Sequence, residues 1–175
     1  MKLKIVFISA LVLITTPLHA EKVTESATKA PVVKKSKNPE ATVFERRIKR
    51  SEPAVYKQLF SSLENNGYFV VFETNIGKNL SRFAQRWGDD YNKNKLESIR
   101  SLIFCNGWYA NQVSNADPKM VALCPLRITV THKKGITSIL FVRPSQVAKN
   151  SPAKKVATEL EQDVVRIINS IPHRD

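Results

Sequence analysis

From Ser51 onward the apolar positions switch between two periods, and each switch marks an element. Tyr56, Leu59, Phe60 and Leu63 share one face at helical spacing. Ser51 is a fair N-cap for that helix and Pro53 suits its first turn. Asn65-Asn66-Gly67 ends it, because Gly67 takes a left-handed conformation cheaply. Tyr68 to Phe72 then reads as a strand, rich in aromatic and β-branched residues. After Ile76-Gly77 the period returns to helical: Leu80, Phe83, Trp87 and Tyr91 recur at steps of three and four, predicting a long helix with a core stripe. Ile99 to Phe104 predicts a second strand, and Gly107 to Asn115 a short helix. Leu126 to Thr131 and Ile136 to Val142 predict two more strands around a Lys134-Gly135 turn. A last helix from Pro152 to Ile171 buries Val156, Leu160, Val164, Ile167 and Ile168, with Ser151 as its cap. The expected fold is α+β, a small, mainly antiparallel four-stranded sheet with helices packed on one face.

The first 50 residues follow neither period. Met1 to Lys4 is a short positive segment, and Ile5 to Ile14 is apolar except for Ser9. Leu18-His19-Ala20 is an acceptable cleavage site, so residues 1–20 read as a signal peptide and the mature chain as periplasmic or secreted. The apolar run falls short of the roughly 20 residues that span a bilayer. Residues 21–50 are rich in Lys, Ala, Thr, Glu, Ser and Pro and read as a disordered basic tail or linker, leaving 51–175 as one domain.

Charge adds a class of partner. The 175-residue chain carries a formal +13, and residues 21–50 hold nine Lys/Arg against four Glu. That balance suits an anionic surface bound through the tail, ending in Arg46-Arg47-Ile48-Lys49-Arg50. Export argues against nucleic acid despite the charge.

The candidate chemistry centres on the two cysteines, Cys105 and Cys124. In an oxidising compartment an even, minimal count reads first as one structural disulfide. Closing a loop of about 20 residues would stabilise the fold by roughly 3 kcal/mol. Two alternatives stay open. A redox role lacks the Cys-x-x-Cys pair that lowers a thiol pKa. A copper-like site has a weak soft-ligand set in Cys105, Met120, Cys124 and His132, at a spacing that matches no metal signature. Trp108, Tyr109 and Arg127 are the candidate ligand surface near the cysteines, although Trp108 also suits a cap on the core. Gly-x-Ser-x-Gly, His-Glu-x-x-His and a phosphate-binding Gly/Lys loop are all missing, and Asp89-Asp90 reads as a solvated face. No catalytic residue and no cofactor emerge, and the balance is against an enzyme.

An ordered series of short motifs carries a family likeness. It comprises Gly67-Tyr68, Leu102-Ile103-Phe104-Cys105, Ala116-Asp117-Pro118, Cys124-Pro125-Leu126-Arg127-Ile128, and the Gly135 turn leading to Phe141-Val142-Arg143-Pro144. From Gly67 to Ile171, about three fifths of the chain, the sequence resembles the family called domain of unknown function number 302, in an exported subgroup that keeps two cysteines. The resemblance implies a small α+β domain with no settled activity, one suspected of forming homodimers. The expectation is therefore an exported, non-catalytic binding or accessory protein for a protein or small-molecule ligand in the periplasm. Redox or metal handling, and anionic-surface binding through the tail, are its alternatives.

Overall fold

The computed structural model describes residues 41–173. The signal-peptide reading of residues 1–20, and the tail reading as far as residue 40, lie outside the described residues.

Five strands form one antiparallel sheet: β1 (Val43–Ile48), β2 (Phe69–Asn75), β3 (Ser98–Cys105), β4 (Leu126–Lys133) and β5 (Ile136–Val142), in the order β1-β5-β4-β3-β2. The expected four-stranded sheet is corrected by β1. That strand lies inside the segment read as a basic tail, so the folded domain begins before Ser51. Its inward-facing positions are Phe44, Arg46 and Ile48, opposite Phe141, Ile139 and Thr137 of β5. Arg46 at the middle position hid the alternation.

The two longest helices are α1 (Glu52–Glu64) and α6 (Lys154–Ser170). Both lie over one face of the sheet, as expected. Tyr56, Leu59 and Leu63 from α1 meet Leu160, Val164, Ile167 and Ile168 from α6 in one core with Leu102, Phe104, Ile128, Val130, Ile139 and Phe141. Pro53 stands in the first turn of α1, and Gly67 has φ +75 in the turn after it. Val156 is only half-buried, and the burial at the start of α6 passes to Ala153 and Ala157. The opposite face of the sheet carries Thr74, Ile99, Ser101, Ile103, Cys105, Arg127, Thr129, Ser138 and Leu140 at alternating positions.

Two partly buried arginines fasten the frame. Arg46 donates from both terminal guanidinium nitrogens to the Ile168 and Ile171 carbonyls, the open C-terminal end of α6. A cation there meets the negative end of the helix dipole and satisfies carbonyls the helix leaves free. Burial lowers the Arg46 pKa from its ordinary value. At the other end of the sheet Glu161 accepts from Arg143 and from the Ser145 hydroxyl and amide, holding α6 to α5 (Pro144–Val147).

The segment expected to be one long helix is broken. It forms α2 (Ile76–Ser81), α3 (Ala84–Trp87) and a 3₁₀ turn (Gly88–Asp90), none contributing a buried residue. Phe83 and Gly88 interrupt it with φ of −105 and +49. The physical reason is that α1 and α6 already cover the core face, so the stripe has no apolar surface to bury against. Leu80, Phe83 and Trp87 remain 36–43% exposed, which overturns their core assignment.

Candidate functional site

The interrupted arm creates a cleft of about 710 Å³ between α2, the loop from Asp90 to Glu97 and the start of β3. Asn75 begins it by capping α2, its side-chain oxygen accepting from the Lys78 amide at 2.8 Å. Gly77 lets α2 lie close to β3: a Cβ there would stand 3.3 Å from the Ile99 amide nitrogen, tighter than most side chains tolerate. Asn92 closes the far wall, giving and accepting one hydrogen bond with the Leu96 backbone, both at 2.9 Å. Lys133 reaches the Asn94 carbonyl, and the Glu97 carboxylate accepts from the Lys134 amide at 3.0 Å, so the loop is pinned to the β4–β5 turn.

The lining combines rings and polar groups. Trp87 and Tyr91 supply aromatic surface, Leu80, Leu96 and Ile99 apolar surface, and Lys78, Lys93, Asn75, Asn94, Asp90 and Glu97 the polar rim. Trp87 also stacks on Phe83, with ring centroids 5.0 Å apart and planes at 20°. Lys93 pairs with Asp90 and holds that carboxyl below its usual range by a hydrogen bond and by charge. The volume lies in the range of small-molecule sites, and few convergent polar groups around aromatic surface is their usual composition. Asp89 and Asp90 are both exposed, as the solvated-face reading expected.

The cysteines lie at the other end of β3. The last rung of the β3–β4 ladder pairs Phe104 with Leu126, which puts Cys105 just past it on β3 and Cys124 just before β4. Both are half-buried free thiols, so the expected bridge between them is not formed here. Burial first, then the charge of Cys105 and a hydrogen bond with it, push the Cys124 thiol above its ordinary value. A thiol shifted upward stays protonated at neutral pH, the opposite of an activated nucleophile.

The weak soft-ligand set does not come together. His132 is at the far end of β4, six residues from Leu126, where its Nδ1 meets the Thr137 hydroxyl at 2.9 Å and its Nε2 faces Glu97 at 3.6 Å. Met120 lies in the 3₁₀ turn Pro118–Leu123. Among the described residues no three of His, Cys, Asp and Glu group as metal ligands would.

The expected aromatic surface also divides. Asn106 caps α4 (Gly107–Ala116), accepting from the Tyr109 amide at 3.1 Å. Trp108 then points outward at 68% exposure, which corrects its reading as a core cap. Tyr109 turns inward and stacks on Tyr68, with centroids 6.4 Å apart. Arg127 is exposed opposite Ile103, in a shallow groove of about 380 Å³ with Leu123, Pro125, Val142 and Pro144, which neither aromatic lines. Asp117, noted in the sequence only as part of a motif, ties this region down. It accepts from the Lys119 amide at 3.1 Å and from the Ser151 hydroxyl at 2.6 Å, which lowers its pKa.

Comparison with known proteins adds the family and the fold. A family model described as domain of unknown function DUF302 matches residues 44–171. A solved structure, the crystal structure of an uncharacterized conserved DUF302 protein from Bacillus stearothermophilus, superposes with a TM-score of 0.63 at 21% identity, covering 73% of this chain and 96% of that one. At that identity the likeness concerns the fold alone. Among curated proteins none matches.

Proposed function

The chain belongs to the DUF302 family, and within it we propose an exported, non-catalytic binding protein whose ligand site is the cleft between the 76–97 arm and β3. One observation carries the reading. Leu80, Trp87 and Tyr91, three of the four stripe residues whose spacing would assign them to a core, instead line an open cavity of about 710 Å³ beside Lys78, Lys93 and three asparagines. Side chains left at a cavity wall are available to a ligand, and Trp87 and Tyr91 offer flat faces to one that is partly apolar. The polar rim adds donors of both kinds, amide and ammonium, suited to a small oxygen-bearing molecule.

The test is a thermal-shift panel of amino acids, saccharides and organic acids on the full chain, repeated with Ser81→Trp to fill the cleft. A compound that raises the melting temperature of the parent and not of the variant supports the site. Equal shifts in both place the ligand elsewhere and sink it, and turnover of the bound compound would remove the word non-catalytic.

The second reading, redox or metal handling, keeps one observation in its favour, the placement of Cys105 and Cys124 at adjoining ends of β3 and β4. It ranks below the cleft because burial, then Cys105, push the Cys124 thiol above its ordinary value.

A further inference from the structure

Between Glu73 and Asp89 the chain has three cations, Lys78, Arg82 and Arg86, and no acid. All three are exposed, and among the described residues none pairs with a carboxylate. Interleaved with them are Leu80, Phe83 and Trp87, each at least 36% exposed, with Phe83 and Trp87 stacked on one another. A stacked aromatic pair left in water and ringed by cations is costly in isolation and suited to a boundary where rings meet acyl chains and cations meet anionic headgroups. The arm has little packing of its own to lose: α2 rests on the start of β3, and the main neighbour of α3 is the 3₁₀ turn. No helix among the described residues is long and apolar enough to cross a membrane, so attachment through this arm is interfacial.

We infer that the arm from Ile76 to Trp87 docks on an anionic lipid surface, with Phe83 and Trp87 entering the headgroup layer and Arg82 and Arg86 facing lipid phosphates. Arg82, Phe83 and Arg86 line no part of the cleft. Trp87 belongs to both surfaces and Phe83 stacks on it, so the two arginines are the positions whose substitution tests docking without touching the cleft lining.

The chain has two tryptophans, so Trp108→Phe in the full chain makes Trp87 the sole reporter. Vesicles of equal parts phosphatidylglycerol and phosphatidylcholine should shift Trp87 emission to the blue, and brominated acyl chains should quench it. Pure phosphatidylcholine should leave it unchanged. Adding Arg82→Gln and Arg86→Gln should weaken partitioning about 30-fold, near fivefold for each cation removed. Phe83→Ser should reduce quenching with the charge intact. If the chain sediments with anionic vesicles while Trp87 emission stays unchanged, the N-terminal segment carries the binding and the inference is wrong. Equal partitioning of the double glutamine variant, or equal response to neutral vesicles, also overturns it.

Discussion

The two edges of the sheet are built on opposite plans. β1 is short and charged, and the side chain it sends inward, Arg46, is locked onto the end of α6. Inward charge on an edge strand resists pairing with another chain. β2 leaves Phe69, Val71 and Phe72 59–64% exposed. Its protection is a register shift between Val70 and Phe72, a bulge that disturbs the ladder. The loose arm with its cleft follows directly from β2. One edge is committed to holding the domain together, and the other keeps its apolar side chains available.

That contrast can be broken by substitution. The largest effect is expected from Glu161→Ala beside the β1 side of the sheet, which strands the Arg143 guanidinium and should cost about 3–5 kcal/mol in urea unfolding. A loss below about 1 kcal/mol would show that this frame is not what holds α6. Arg46→Leu should come next, at about 2–3 kcal/mol, because two buried carbonyls lose charged donors. If it is neutral, β1 is an ornament on the sheet. The smallest effect should come from Phe72→Lys on the opposite edge, below about 1 kcal/mol, since the ring is mostly in water. A cost equal to that of Arg46→Leu would erase the distinction between the edges.

How far the sequence could be read varied along the same line. The helices α1, α4 and α6 and the strands from β3 to β5 were legible because each buries residues on one face, and burial imposes its period on the sequence; β2, largely exposed, was legible from its aromatic and β-branched residues. β1 was not, because its middle inward position is an arginine whose partners, the Ile168 and Ile171 carbonyls, are more than 120 residues away. The arm misled for the converse reason. Leu80, Phe83, Trp87 and Tyr91 keep helical spacing, yet spacing says nothing about whether a surface waits to receive them. The cleft was illegible for the same cause, since its walls come from the arm and from β3, and only the fold brings these together.

By itself the sequence determined the α+β class, the family likeness and the antiparallel pairing of the later strands, since local periods and turn residues act within a few positions. The tertiary structure decided the fifth strand, the exposure of the arm, the separation of His132 from the cysteines and the outward turn of Trp108. Those outcomes depend on which face of the sheet was already covered and on which distant carbonyl a buried charge could reach, and neither is a property of any local stretch of chain.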